Sequence, residues 1–232
     1  MLTLRRSEER GRANHDWLDS HHTFSFASYY DPEHMGFSSL RVLNDDRVDP
    51  SSGFPTHSHN DMEIISFVLE GTMEHKDSMG NGAVMQAGEV QVMTAGTGVT
   101  HSEFNASTEE PLRFLQIWIT PDQKGLQPDY QQPHIEPGAI DGKLYHVASK
   151  NPTNGTAKIN QNADIYISQL RAQDQVEHKF KPDRKGWLQV AKGSLTLGDL
   201  ELNEGDGVAI TDEDSINLTT PDEALIMLFD LA

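Results

Sequence analysis

The sequence predicts an all-β protein made of two antiparallel β-barrel or jelly-roll domains, residues 1–130 and 131–232. Three observations carry this prediction. Short runs rich in β-branched and aromatic residues recur between glycine turns, no helical periodicity interrupts them, and the second half repeats the pattern of the first.

The first run, Leu2-Thr3-Leu4, is a short strand and leads into a charged polar segment. His15, His21, His22 and His34 follow. No two of them stand at i and i+2, so they read as surface, loop or hydrogen-bonding residues. His22 to Phe26 alternates as a strand, Asp31-Pro32 marks a turn, and Leu40 to Asn44 forms a second strand before an expected turn at Asp45-Asp46. Glu63 to Glu70 is a β-branched strand ending at Gly71, Thr72 to His75 runs back, and Gly80-Asn81-Gly82 makes a tight turn. Val90 to Met93 and Leu112 to Ile119 close the first set. Gly71, Gly88, Gly96 and Gly98 fall where turns need positive φ.

Prolines and glycines from 121 to 142 read as a linker. Beyond it, Ala163 to Leu170, Gly186 to Val190, Gly193 to Leu197, Gly207 to Ile210 and Ala224 to Phe229 alternate as before. Val190-Ala191-Lys192-Gly193 echoes Val68-Leu69-Glu70-Gly71, and Leu202 to Gly205 echoes Met85 to Gly88.

Composition narrows the function. Eighteen Lys and Arg against 36 Asp and Glu give a net charge of −18, which repels phosphate backbones and anionic lipid. Neither nucleic acid nor membrane is an expected partner. There is no cysteine, which removes disulfides, thiolate ligands and a cysteine nucleophile. No apolar run has signal-peptide or membrane-span length, so a cytoplasmic protein is expected.

The chemistry gathers between His57 and Glu103. In extended backbone, side chains at i and i+2 leave the same face, so His57 and His59 aim two imidazoles at one point. His101 and Glu103 repeat the arrangement. Two such pairs on adjacent strands make a site of three nitrogens and one oxygen with open positions. That donor set suits Fe(II), Mn(II), Cu(II), Ni(II) or Zn(II), and without thiolates it is not a closed structural zinc site.

His57-x-His59-x3-Glu63-x7-Gly71, with Gly98-x2-His101-x3-Asn105, resembles the two histidine motifs of the cupin superfamily. Glu103 within His101-Ser102-Glu103 is similar to the pirin-like branch. So are Asn14 to Ser20, His22 to Phe26, Tyr29 to Pro32, Met35 to Phe37, Leu40 to Asp46, Asp77 to Asn81 and Met93 to Gly98. The resemblance is strong over roughly residues 2–120 and weaker beyond, and it is to bacterial pirin-like proteins that act as quercetin 2,3-dioxygenases. Gly96 stands where many cupins have proline, a departure that pirin-like chains share.

The resemblance implies a bicupin fold with one divalent ion, Fe(II) favoured over Mn, Ni, Cu, Co or Zn, held by His57, His59, His101 and Glu103. General cupins take their carboxylate from the first motif, which here is Glu63, leaving Glu63 as a supporting or competing ligand. The implied reaction is dioxygenation of a flavonol such as quercetin. The 3-hydroxyl and 4-carbonyl meet the metal, O2 adds across C2 and C4 of the heterocycle, and carbon monoxide leaves. Glu103 or Glu63 is the candidate base for the 3-hydroxyl proton. Met62, Phe67, Met93, Phe114 and Trp118 are the expected aromatic and apolar cavity walls.

The C-terminal repeat offers only His178-Lys179-Phe180-Lys181 and Asp214 to Asn217 where the ligands would recur, and it reads as a metal-free cupin. Two rivals stay open at this point. One is a metal-binding regulator acting through a protein partner, as the resemblance to nuclear pirin implies. The other is a cupin isomerase or epimerase using histidine as base without metal.

Overall fold

The computed structural model describes residues 1–153 and 155–232. Among them there is no α-helix, only a 3-10 turn at Ser7–Glu9, and no helix long and apolar enough to cross a membrane. In chain order the strands are β1 (Leu2–Arg5), β2 (Gly11–Asn14), β3 (Leu18–His22), β4 (Leu40–Val48), β5 (Gly53–His59), β6 (Glu63–Glu70) and β7 (Thr72–Asp77). Next come β8 (Gly82–Gln86), β9 (Val90–Thr94), β10 (Val99–Asn105), β11 (Leu112–Ile119), β12 (Asp129–Gln131), β13 (Tyr145–Ser149) and β14 (Ala157–Lys158). The last are β15 (Ala163–Arg171), β16 (Gln175–Lys179), β17 (Lys185–Leu197), β18 (Leu200–Asn203), β19 (Gly207–Ile210), β20 (Ser215–Thr219) and β21 (Glu223–Leu231).

The chain divides into two compact units. One comprises Gly11–His134 with Ala157–Gln161; the other comprises Met1–Arg10, Ile135–Thr156 and Asn162–Ala232. This differs from a single division at residue 130. The opening strand β1 pairs antiparallel with β19, Leu2 opposite Ile210, so the first ten residues belong to the unit built from the C-terminal half. Local sequence carries no mark of so distant a pairing.

In the first unit a large antiparallel sheet, β12-β9-β6-β11-β4-β3-β2, faces a smaller one, β5-β10-β7-β8. Alternation along the strands decides what lies between them. Val68, Met73, Met85, Leu112 and Phe114 join Leu18 and Val48 in one fully buried apolar cluster. Ile64, Met93, Ala95 and Val99 form a second, with Trp118 and Met62 packed against it. Between the two runs a polar row, because register places Gln91 opposite Ser66, Ser66 opposite Gln116, Gln116 opposite Asn44, and Asn44 opposite His22. This row supports the functional site.

Gly71, Gly88, Gly96 and Gly98 all take positive φ, as their places in the sequence require. At Gly71 (φ +77) a Cβ would also lie 2.4 Å from the Pro111 carbonyl oxygen, so the β6–β7 turn admits no side chain. The expected strand from His22 to Phe26 ends instead at His22. Asp45-Asp46 is not a turn but the middle of β4, where Arg113 pairs with both oxygens of Asp45 and Ser20 donates to one oxygen of Asp46. The expected linker contains β12, which pairs with β9.

In the second unit β1, β19, β17, β21, β15 and β13 lie side by side, with β18 on β17 and β20 bridging β16 and β17. Its core is an apolar cluster including Leu188, Val190, Leu195, Val208, Leu218 and Leu228. His178 hydrogen-bonds Asp230 Oδ2 through Nε2 at 2.9 Å.

Candidate metal centre

Two strands of the small sheet deliver the imidazoles. β5 and β10 are antiparallel with His57 directly opposite His101 and His59 opposite Val99, and a bulge then shifts the register so that Glu103 meets Phe54. Gly53 lies beyond this bulge, where a Cβ would come 2.3 Å from the Glu103 carbonyl oxygen; glycine lets the two strands close next to the site. The rings of His57, His59 and His101 are mutual neighbours, with centroids 4.8, 4.5 and 4.9 Å apart, and one ring nitrogen from each lies within 4.8 Å of the others.

The protonation of these rings favours a cation among them. His57 donates Nδ1–H to the Pro55 carbonyl at 2.8 Å, which leaves Nε2 as a lone pair. Burial, with His57 nearby, lowers His59 to about 4. Burial and the same neighbours lower His101 to about 3. Both are therefore neutral at pH 7, the form that binds metal. His101 is only 1% exposed, and neither of its ring nitrogens has a hydrogen-bond partner among the described residues. A buried imidazole without partners is destabilising, and a coordinated ion removes that penalty. The donor set thus fits a divalent ion.

Glu103 stands two residues along β10 from His101 and points into the polar row. Its Oε1 accepts from Ser66 Oγ at 3.0 Å and Gln91 Nε2 at 3.1 Å, and its Oε2 from Gln116 Nε2 at 2.8 Å. Burial raises its carboxyl to about 7 against the pull of these bonds. Glu103 borders the same cavity as His57 and His59, but its nearest set of donor atoms is His101 and His75. His101 is common to both groups.

His75 was not singled out from the sequence. It lies on β7 opposite Glu103, fully buried, with Nε2 3.2 Å from Asp77 Oδ2 and Tyr130 stacked on it at 4.8 Å. Asp77 also accepts from the Met79 and Asn81 amides and from Asn81 Nδ2, holding the β7–β8 turn. With Nε2–H given to Asp77, the unpartnered Nδ1 of His75 presents a lone pair. Tyr130 reaches Gln91 Oε1 at 3.3 Å, and Gln91 in turn holds Glu103, so one cluster braces both. Three polar residues at inward positions of otherwise apolar strands, Ser66, Gln91 and Gln116, were the sequence signal for this support.

Glu63 is placed elsewhere. Its odd position on β6 turns it to the face opposite Ser66, where Thr94 Oγ1 donates to it at 2.9 Å and Asn160 Nδ2 at 3.1 Å. It is not part of either donor group.

The cavity beside the imidazoles has a volume of about 290 Å³. Of the five walls expected from the sequence, Trp118 borders it, while Met62, Phe67, Met93 and Phe114 do not. Met93 and Phe114 are consumed by the two apolar clusters, and Phe67 shares the outer face of β6 with Glu63. Trp17, Phe26 and Phe54 supply the aromatic walls instead, and His15 and His22, read from the sequence as peripheral, border the space. Ser20, Asn44, Asp46 and Gln116 complete its polar side.

Comparison with known proteins agrees with this architecture. The pirin family matches residues 3–119, and the quercetinase C-terminal cupin domain matches residues 146–231. A quercetin 2,3-dioxygenase of Escherichia coli K12 is 47% identical over 231 residues, spanning 100% of this chain and 99% of the relative. A pirin-like protein of Caulobacter vibrioides is 39% identical over 233 residues, spanning 100% of each. The crystal structure of the bacterial pirin YhhW from Escherichia coli in complex with nickel(II) matches with a TM-score of 0.94 at 46% identity, covering 100% of this chain and 99% of that one. Both halves of the chain take part in these matches, so it is a bicupin and belongs to the pirin family.

Proposed function

We propose that the protein is a metal-dependent dioxygenase that opens the heterocycle of a flavonol, in which His57, His59, His101 and Glu103 hold one divalent ion. The observation that carries the reading is the position of the donor cluster, which forms one side of a cavity whose other walls are Trp17, Phe26, Phe54 and Trp118. Relatives named quercetin 2,3-dioxygenase over the full chain support it. At about 290 Å³ the cavity is at the small end of ligand sites, with room for one planar aromatic molecule.

When bound, the ion supplies Lewis acidity toward the 3-hydroxyl and 4-carbonyl oxygens of the substrate. The chain's own residues do the rest. His57 is fixed in one tautomer by Pro55, and His59 and His101 are kept neutral by burial. Glu103, anchored by Ser66, Gln91 and Gln116, takes the 3-hydroxyl proton when its remaining oxygen lone pair is not committed to the ion. Glu63, on the far face of β6, is left out of this role. The aromatic walls stack the substrate and exclude water.

Nickel is present in the complex of the Escherichia coli pirin, and the sequence resemblance favours Fe(II); this donor set accepts both. The test is aerobic incubation of the protein with quercetin, recording oxygen uptake and carbon monoxide. Equimolar carbon monoxide and flavonol loss is expected, with both abolished in His57→Ala together with the bound metal. Metal binding without carbon monoxide release would overturn the reading.

A further inference from the structure

Asp45 and Asp46 are neighbours on β4 and so point to opposite faces of the large sheet. Their surroundings differ sharply. Asp45 is held in a bidentate pair by Arg113 Nε and Nη2, each at 2.9 Å. Asp46 has no Lys, Arg or His pairing with it among the described residues; its one partner is Ser20 Oγ, which donates to Oδ1. It is nevertheless 3% exposed, and it borders the cavity together with His57, His59, Glu103, Gln116 and Trp118. A carboxylate withdrawn from water without a cation is expensive to maintain, and the strand sets an acceptor into the wall of an aromatic cavity. Ser20 occupies Oδ1 and leaves Oδ2 without a partner among the described residues.

We infer that Asp46 is a specificity-determining residue that accepts a phenolic O–H of the bound flavonol, at a ring position other than the hydroxyl presented to the imidazoles. This rests on the flavonol reading and deepens it, because it selects polyhydroxylated flavonols over those carrying the 3-hydroxyl alone. The physical reason is one of pairing. A ligand that offers C–H at this point removes Asp46 Oδ2 from water and gives it nothing, whereas one that offers O–H restores a hydrogen bond, charge-assisted where the carboxyl is ionised. Asn44 and Gln116, on the same wall, supply further polar edges for hydroxyls.

The experiment is equilibrium binding to the purified, metal-containing protein without oxygen, followed by quenching of tryptophan fluorescence, since Trp17 and Trp118 border the cavity. Two ligands are compared: quercetin and 3-hydroxyflavone, which lacks every other hydroxyl. Wild type is expected to prefer quercetin on the order of 10- to 100-fold, the range of a hydrogen bond to a charged group. Asp46→Asn, which keeps the shape and the Ser20 contact, reduces that preference several-fold. Asp46→Leu brings it to near unity, and if that variant does not fold, Asp46→Asn decides. An unchanged preference in Asp46→Asn, with wild type still releasing carbon monoxide from quercetin, overturns the assignment of Asp46 alone. Wild type that binds neither ligand and releases no carbon monoxide overturns the flavonol reading and this assignment with it.

Discussion

Replacing Asp46 by asparagine should make the metal-free protein more stable, and the gain should appear only as the pH rises. Burial is the main cause that holds the Asp46 carboxyl at about 7 instead of 3.8; the Ser20 hydrogen bond opposes it, and Asp45 and Glu103 add to it. A carboxyl that binds its proton more tightly in the folded state contributes stability that is complete below about 4. That contribution is lost as the pH climbs through about 7. At about 1.4 kcal/mol per pH unit, the gap from 3.8 to about 7 comes to about 4 kcal/mol. Asparagine stays neutral throughout and still accepts the Ser20 hydrogen bond. Urea unfolding in the presence of a chelator, followed by tryptophan fluorescence at pH 4, 6 and 8, should therefore show Asp46→Asn close to wild type at the lowest pH. At the highest it should be about 4 kcal/mol more stable. A difference that does not change with pH, or a variant less stable than wild type at pH 8, would refute the placement of Asp46 as an uncompensated buried acid.

Arg113→Met should lower stability by about 3 kcal/mol, because it removes the bidentate partner of the buried Asp45, whose contact with Arg47 is longer, at 3.8 Å; thermal unfolding measures the loss, and an unchanged midpoint would show that the pair contributes little. His75→Ala should weaken metal affinity by about 10- to 100-fold while leaving one ion per chain, because the His75 ring packs against His101 at 5.4 Å and, through Tyr130 and Gln91, supports Glu103. Isothermal titration of the metal-free protein with Ni(II) reads this, and an unchanged dissociation constant would place His75 outside the metal's support.

The sequence made the donor pairs legible because strand geometry is simple: spacing of two residues is itself a statement that His57 and His59, or His101 and Glu103, share a face. The convergence of the three imidazoles across β5 and β10 follows from one register, His57 opposite His101, whereas the bulge after His101 sets Glu103 beside His75 instead. Alternation makes the longer strands of both units visible, β4, β6, β11, β15, β17 and β21 among them, and the repeat shows in the echo of Val68–Gly71 at Val190–Gly193. What stayed hidden depends on partners far along the chain. Asp45-Asp46 looks like a turn until Arg113, 68 residues away, arrives to pair with it. The cavity walls come from Trp17, Phe26 and Phe54, which local pattern does not distinguish from surface or core. His75 belongs to neither histidine pair, and only the pairing of β7 with β10 sets it against Glu103. Glu63 fits a cupin motif in sequence, yet the parity of its position on β6 turns it away from Ser66 and into the bonds of Thr94 and Asn160.

X-ray absorption at the metal edge tests the central claim most directly. In protein loaded with one equivalent of Ni(II), three imidazole nitrogens and a carboxylate oxygen are expected at about 2.0–2.2 Å, with the imidazole scattering reduced by one ring in His101→Gln. A bound ion with oxygen scatterers alone, or a spectrum indifferent to the loss of His101, would contradict the account.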